Sequence, residues 1–142
     1  FDHPLLRHQS QTIQMTEAAF IDEIAPARTF GFLHEVELMR QQGLALGGSL
    51  ENAIVLSETG VLNNTLRFED EFVRHKILDA IGDLALVGYP ILGHLVASRA
   101  GHALHTAFAR QLLSEPDAWK IVELQPASAS VAVPAGVPVR AN

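Results

Sequence analysis

The segment LRFEDEFVRHKILDAIGDLALVG, from Leu66 to Gly88, decides which fold the sequence predicts. An α-helix turns by about 100° per residue, so residues three or four apart share one side. The apolar residues that gather on one side at this spacing are Leu66, Val73, Ile77, Ala80, Ile81 and Leu84. Such a stripe is typical of a helix that packs against a sheet. The segment therefore predicts one long helix in the core of the domain.

The opposite side of this helix mixes ionisable and aromatic residues. It carries His75, Asp79 and Asp83, together with Phe68 and Phe72. Because a solvated side would not need two phenylalanines, this second face is predicted to line a cleft or an interface. His75 and Asp79 are spaced to bind one cation. The spacing alone nevertheless favours a hydrogen-bonded pair without metal, since a zinc site needs three protein ligands and a water.

The composition excludes several classes of protein. The 142 residues suit one domain, and a net charge of -6 argues against nucleic-acid binding, which requires clustered Lys and Arg. Cysteine is absent, so imidazole and carboxylate are the available metal ligands. No apolar run is long enough to span a bilayer, and the first residues lack the pattern of a secretion signal. A soluble, cytoplasmic chain is therefore expected.

Around the long helix, short apolar runs alternate with segments of helical spacing. Further helices are predicted in 16–25, 34–43 and 102–114, and strands in 28–33, 44–49, 52–57, 60–63, 90–101 and 118–124. This order predicts an α+β fold, with a small mixed sheet packed on two main helices and a strand-helix-strand unit at about 29–49. The domain is predicted to occupy 1–125. The Ala, Val and Pro-rich tail at 126–142 is predicted to be disordered.

Two further motifs leave alternatives open. His102 follows Gly101 at the predicted start of a helix, where free backbone N–H groups favour an anion. The histidine could be catalytic, but a capping or surface histidine is the simpler interpretation. The glycines of GLALGGS, at 43–49, could approach a phosphate. No P-loop lysine or GxGxxG pattern accompanies them, which favours a tight bend.

Three runs of the chain resemble one known family. They are ARTFGFLHEVELMRQQGLALGGSLENAIVL, LRFEDEFVRHKILDAIGDL and AGHAL. They are similar to the carboxy-terminal half of the UDP-3-O-acyl-N-acetylglucosamine deacetylases, the zinc enzymes of lipid A synthesis in Gram-negative bacteria, and the resemblance extends to about Leu124. It implies hydrolysis of the N-acetyl group of UDP-3-O-(3-hydroxyacyl)-N-acetylglucosamine with release of acetate. It also implies Zn²⁺ as the cofactor and a chain that is one half of a two-domain deacetylase.

The resemblance assigns expected roles to residues of the long helix and of the following one. His75 and Asp79 match two zinc ligands, and Lys76 matches a substrate-binding lysine. His102 matches a catalytic histidine that assists the tetrahedral intermediate and the leaving amine. Asp83 matches the carboxylate that orients this histidine. These five residues are therefore the expected core of the site.

The resemblance also assigns residues near the first predicted strand. Thr29 matches a residue that helps to stabilise the oxyanion, and Phe30 matches one that contacts the sugar and acyl region of the substrate. The unit at 29–49 resembles an insert that forms a hydrophobic passage for the acyl chain. Its expected lining residues are Leu44, Ala45, Leu46 and Leu50.

The chain also departs from the family pattern. In the family, the amino-terminal half supplies a third zinc ligand, a histidine, and the glutamate general base, and neither motif is present. No role at the metal is expected for the remaining histidines, which are His3, His8, His34, His94 and His105. The isolated chain is therefore expected to be inactive and to need that half as a partner. The alternative is a non-catalytic, standalone half that binds a nucleotide-sugar lipid or a protein.

Overall fold

The computed structural model describes residues 3–62 and 65–124. The expected tail at 126–142 lies outside the described residues. The elements in chain order are helix α1 (Glu17–Ala19) with a π-helical turn (Phe20–Ile24), strand β1 (Thr29–Phe32), helix α2 (Leu33–Gln41), strand β2 (Ala53–Leu56), helix α3 (Glu71–Leu84) with a 3₁₀ turn (Ala85–Val87), and helix α4 (His102–Ser114) with a 3₁₀ turn (Pro116–Ala118). Helices and a small sheet confirm the predicted α+β class.

Strands β1 and β2 pair in parallel, with Thr29 opposite Ala53 and Phe32 opposite Leu56. Parallel strands need a crossover connection, and α2 provides it. The predicted strand at 44–49 is wrong, because these residues form turns and bends. The closely spaced glycines and the left-handed backbone of Ala45 suit a bend rather than a strand. The second strand of the strand-helix-strand unit is therefore β2.

Three other predicted strands are also wrong. Residues 90–101 and 118–124 lie in no strand. The expected strand at 60–63 is reduced, in its described part, to an antiparallel bridge between Leu56 and Val61. Apolar, β-branched runs predict strands, but a strand forms only where a neighbouring edge supplies hydrogen-bond partners. In the described part of the chain, the sheet consists of β1 and β2 and is not mixed.

The core of the described residues lies between this sheet and α3. Ile54, Leu56 and Phe72 form a buried cluster. Phe72 is 2% exposed, so this residue of the second face packs in the core and does not line the cavity. Its ring meets the Phe30 ring edge to face, with centroids 5.1 Å apart. Phe30 thus lies between the core and the surface on which the ionisable residues stand.

A buried ion pair connects the start of β1 to the start of α3. The Arg28 side chain donates from Nε to Glu71 Oε1 at 2.9 Å and from Nη2 to Oε2 at 3.0 Å. The backbone N–H groups of Arg28 and Arg67 also donate to this carboxylate, at 3.0 and 2.6 Å. The pair sets the position of the first residues of β1 relative to α3. It therefore also positions Thr29 and His75 relative to one another.

Helix α4 begins where its sequence indicates, whereas α3 begins later than predicted. Helix α3 starts at Glu71 rather than at the predicted Leu66, and it ends through the 3₁₀ turn at Gly88, whose φ of 87° is left-handed. Helix α4 begins at His102 directly after Gly101. Contacts between α3 and α4 bring the end of the first helix against the start of the second. No helix in residues 3–62 and 65–124 is long and apolar enough to cross a membrane.

Candidate active site

A cavity of about 210 Å³ opens beside β1, α3 and the first turn of α4. Its lining residues are Thr29, Phe30, Gly31, Phe32, Glu35, His75, Lys76, Asp79 and His102. Strand β1 contributes one wall, and residues one turn apart on α3 contribute the other. One cavity therefore contains six of the residues predicted from the sequence, namely Thr29, Phe30, His75, Lys76, Asp79 and His102.

The His75 ring is held between a backbone carbonyl and a carboxylate. Nδ1 lies 3.2 Å from the carbonyl oxygen of Ala27, and Nε2 lies 3.3 Å from Asp79 Oδ1. A carbonyl oxygen only accepts, so this hydrogen bond requires the proton on Nδ1. In the neutral ring, Nε2 then presents a lone pair to Asp79. The two side chains are 14% and 11% exposed, so solvent screens them little.

Two acceptors that face each other at this distance repel unless a cation lies between or beside them. The cation can be a proton on the imidazole, an ammonium group or a metal ion. A carbonyl that fixes the tautomer of a histidine is also the usual support of a metal-binding imidazole. The pair therefore fits two of the ligands of a metal ion. Within residues 3–62 and 65–124, no group of three His, Cys, Asp or Glu residues could complete such a site.

Lys76 lies on the rim of the pair. Its Nζ donates to Asp79 Oδ2 at 2.8 Å and lies 5.3 Å from the centroid of the Phe30 ring. The Phe30 ring also meets the His75 ring edge to face, with centroids 6.0 Å apart. Phe30 thus supports both the ammonium group and the imidazole from one side of the cavity.

Asp83, one turn after Asp79, accepts hydrogen bonds from two histidines of α4. Its Oδ2 lies 2.8 Å from His102 Nδ1 and 2.9 Å from His105 Nδ1. Burial alone raises the pKa of Asp83, but the hydrogen bonds from His105 and His102 and their charges outweigh it and lower the pKa below its ordinary value. Asp83 is therefore ionised at neutral pH and acts only as an acceptor. Both histidines must donate to it through Nδ1.

His102 stands at the mouth of the cavity. Its side chain is 68% exposed, and its Nε2 lies 3.9 Å from Asp79 Oδ2. Because Nδ1 is held by Asp83, Nε2 is the nitrogen that faces the cavity. The structure thus brings a histidine at the amino end of α4 to within 4 Å of a carboxylate on α3.

The expected acyl-passage residues lie apart from this cavity. Leu44, Ala45, Leu46 and Leu50 are exposed and belong to the turns between α2 and β2. None of them lines the cavity that contains His75. Thr29 is also exposed, but as the first residue of β1 it lies at the cavity edge.

Comparison with known proteins assigns the chain to a family. The family model described as "LpxC: UDP-3-O-acyl N-acetylglycosamine deacetylase" matches residues 1–114. The chain belongs to this family. The resemblance predicted from the three sequence runs is therefore confirmed.

Relatives of the chain are UDP-3-O-acyl-N-acetylglucosamine deacetylases of several bacteria. The protein of Oleidesulfovibrio alaskensis is 54% identical over 147 residues, which cover 99% of this chain and 48% of that relative. The protein of Syntrophotalea carbinolica is 54% identical over 124 residues, with 87% and 40% covered, and that of Citrifermentans bemidjiense is 47% identical over 139 residues, with 97% and 46% covered. The chain thus spans less than half the length of these relatives.

Sequence reasoning missed two contacts of the candidate site residues. The Ala27 carbonyl carries no side-chain signal, so its contact with His75 could not be read from residue types. His105 was given no role, although it lies three residues after His102 on the same side of a helix. That spacing was a usable signal, but its significance depends on Asp83, which lies on another helix.

Proposed function

We propose that this chain supplies part of the active site of a zinc-dependent deacetylase. The complete enzyme hydrolyses the N-acetyl group of UDP-3-O-(3-hydroxyacyl)-N-acetylglucosamine and releases acetate, in lipid A synthesis. The observation that carries the proposal is the adjacency of the His75 and Asp79 acceptor pair to His102, whose other nitrogen is held by Asp83. The names of the relatives support the substrate and the reaction.

His75 Nε2 and the Asp79 carboxylate would hold the metal ion, with a third ligand from the amino-terminal half. Bound zinc lowers the pKa of its water toward 7 and polarises a carbonyl. The Ala27 carbonyl keeps the proton of His75 on Nδ1 and so keeps Nε2 available as a ligand. Lys76, which donates to Asp79, would balance the charge of that carboxylate and would contact an anionic or carbonyl group of the substrate. A glutamate of the same amino-terminal half would remove the proton of the attacking water.

His102 would supply the proton that the leaving amine needs, and Asp83 would orient His102. Asp83 accepts from His102 Nδ1, which leaves Nε2 as the nitrogen that faces the cavity. A protonated Nε2 would donate a hydrogen bond to the oxyanion of the tetrahedral intermediate and would transfer its proton to the amine nitrogen as the C–N bond breaks. Thr29 stands at the same edge and would add a hydroxyl donor to the oxyanion.

The substrate would lie across Phe30 toward the turns after α2. Phe30 offers an apolar ring at the cavity wall for the sugar and acyl region. The passage for the acyl chain would be lined by Leu44, Ala45, Leu46 and Leu50. Because these side chains are exposed and apolar, they can contact an alkyl chain without first unpacking a core.

The rival function is a non-catalytic half that binds a nucleotide-sugar lipid or a protein partner. It is favoured by the pair of potential ligands without a third in the described residues. The two functions differ in one respect that can be measured, which is turnover after the second half is added.

Acetate release tests the proposal. The chain alone is expected to release none, whereas the chain assembled with the amino-terminal half of the Oleidesulfovibrio alaskensis relative is expected to turn over the substrate. Asp79→Ala in the assembly should abolish both turnover and stoichiometric zinc. His8→Asn, at an exposed position outside the cavity whose left-handed backbone Asn tolerates, serves as the matched control. An assembly that binds substrate without releasing acetate would support the rival function.

A further inference from the structure

One carboxylate oxygen between α3 and α4 is shared by two histidines of opposite exposure. Asp83 Oδ2 accepts from His102 Nδ1 at 2.8 Å and from His105 Nδ1 at 2.9 Å. The His102 side chain is 68% exposed, whereas that of His105 is 6% exposed. His105 is therefore held by its surroundings, and His102 has little packing to hold it.

We propose that His105 is a positioning residue. Its hydrogen bond fixes the orientation of the Asp83 carboxylate, and the carboxylate in turn orients the His102 ring. The inference rests on the proposed function and extends it to a residue that does not line the cavity. Without His105, the only side chain donating to Asp83 among the described hydrogen bonds is the exposed His102. An exposed imidazole cannot immobilise the carboxylate that is meant to orient it.

The geometry of the two helices supports this role. An ionised carboxylate only accepts, so each histidine donates its Nδ1 proton to Asp83. Both reach Oδ2, and His102 Nδ1 also lies 3.1 Å from Oδ1. The two donors come from positions one turn apart on α4, which fixes the direction of Oδ2 relative to that helix. The buried hydrogen bond from His105 also loses less to competing water than the exposed one from His102. His105 thus transmits the rigidity of the interface between α3 and α4 to the rim of the cavity.

Two variants separate positioning from packing. His105→Leu keeps an apolar group of similar size in the interface but removes the donor. His105→Asn keeps a donor, because its amide nitrogen branches from the γ carbon as Nδ1 does, but it fills less of the space. If His105 positions Asp83, kcat should be retained in the variant that keeps a donor, His105→Asn, and lost in His105→Leu. If His105 only packs, both kcat and the thermal midpoint should be retained in the variant that keeps the volume, His105→Leu.

The variants are to be measured in the chain assembled with the amino-terminal half of the Oleidesulfovibrio alaskensis relative. For His105→Leu, kcat is expected to fall about tenfold with KM and zinc content unchanged, since loss of a supporting partner has that order of effect. His105→Asn should recover kcat to within about threefold of the unsubstituted assembly, although its thermal midpoint is lower. His8→Asn is the control for a lost exposed histidine, because Asn tolerates the left-handed backbone at this position. Equal losses of kcat in the Leu and Asn variants, or no loss in the Leu variant, would overturn the proposal.

A spectroscopic measurement on the 142-residue chain alone keeps this test independent of turnover. At one fixed pH, the ring ¹⁵N shifts of His102 report whether Nδ1 carries the proton that Asp83 accepts. His105→Leu should shift the His102 population away from the Nδ1-protonated form, and His105→Asn should largely restore it. Absence of acetate release by the unsubstituted assembly contradicts the proposed function; a His102 spectrum unchanged by His105→Leu contradicts the positioning role of His105.

Discussion

At the scale of a single residue, Glu71 is a carboxylate that is buried in its charged form. It is fully buried, and its carboxylate accepts from the Arg28 guanidinium and from the backbone N–H groups of Arg28 and Arg67. Burial alone raises the pKa of Glu71, but these hydrogen bonds and the charge of Arg28 outweigh burial and lower it from the ordinary value of 4.5. The charge of Glu71 is therefore part of what holds β1 to α3.

Glu71→Gln should destabilise the chain strongly, because it leaves the buried Arg28 guanidinium without its counter-charge. Breaking one partner of a buried pair costs about 3 to 5 kcal/mol, so urea denaturation should show a loss of that order. Glu69→Gln, at an exposed neighbouring position, is the matched control and should change the free energy of unfolding by less than about 0.5 kcal/mol. A loss below about 1 kcal/mol for Glu71→Gln would contradict the structural role of the pair.

The lowered pKa of Glu71 also predicts how stability depends on pH. A carboxyl group whose pKa is lower in the folded state contributes its full stabilisation above the unfolded-state pKa and loses it as pH falls through the folded-state pKa. The thermal midpoint should therefore fall as pH drops below about 4. Glu71→Gln should flatten this slope, leaving a smaller one from Asp83, whose pKa is also lowered. An equal slope in the variant would contradict the prediction.

Asp83→Asn should separate an orienting carboxylate from a metal ligand. The hydrogen bonds of Asp83 are to His102 and His105, whereas Asp79 is the carboxylate beside His75. In the assembled enzyme, kcat for Asp83→Asn is expected to fall about 10 to 100-fold while zinc content is retained. Asp79→Ala should lose both. Metal analysis together with turnover checks this, and halved zinc in Asp83→Asn would instead indicate that Asp83 is a ligand.

Among the secondary-structure elements, α3 contributes His75, Lys76, Asp79 and Asp83, and its stability depends on how the helix ends. The helix passes through a 3₁₀ turn and ends at Gly88, whose φ is 87°. A residue with Cβ is strained in this region, whereas glycine is not. A Cβ added at Gly82, inside the same helix, would have no neighbouring atom within 4 Å, and the same is true at Gly88. The two glycines therefore differ in backbone conformation and not in available space.

Because of this difference, replacing glycine by alanine should change the free energy of unfolding in opposite directions at the two positions. Gly88→Ala should lower the free energy of unfolding of the chain by about 1 kcal/mol, because Ala is strained at positive φ. Gly82→Ala should raise it by about 0.5 to 1 kcal/mol, because Ala loses less backbone entropy in a helix. Urea denaturation of both variants measures the two changes. The same sign for both would show that factors other than backbone conformation dominate.

Across the whole molecule, the described residues leave much apolar surface uncovered. The buried apolar residues are Ile24, Ala27, Ile54, Leu56, Phe72, Ala80 and Ala109. Large exposed ones continue from the end of α3 into the following segment, namely Leu86, Tyr89, Ile91, Leu92, Leu95 and Val96. Apolar residues grouped in this way usually mark an interaction surface. Since the chain spans less than half the length of its relatives, the amino-terminal half is the proposed occupant of this surface.

Polar substitution of this surface should alter the chain's association without altering its stability. Leu92 and Val96 are 73% and 78% exposed, so Leu92→Ser with Val96→Ser should change the free energy of unfolding by less than about 1 kcal/mol. Binding of a hydrophobic dye, and co-purification with the amino-terminal half, should both decrease. Leu56→Ser, in the buried cluster, is the contrasting control and should destabilise the chain by several kcal/mol. A large stability loss in the surface variant would indicate that these residues belong to the core of the chain.

Local patterns of sequence were sufficient for the helices and for the contacts made within one of them. Apolar spacing predicted α3 and α4, and the i, i+4 relation brings His75 and Asp79 together wherever α3 lies. The short aromatic run at 28–33 likewise contains β1. Helical hydrogen bonds connect residues four apart, so the relevant information lies within a few residues of each position.

Contacts between distant segments were decided by packing. The predicted strands at 44–49 and 90–101 did not form, because a strand also requires an edge whose presence its own residues do not encode. Asp83 meets His102 and His105, which are 19 and 22 residues away, only because α4 packs against the end of α3. Residue types could suggest a carboxylate and an imidazole as partners. Which histidine is buried and which faces the cavity follows from the relative placement of the two helices.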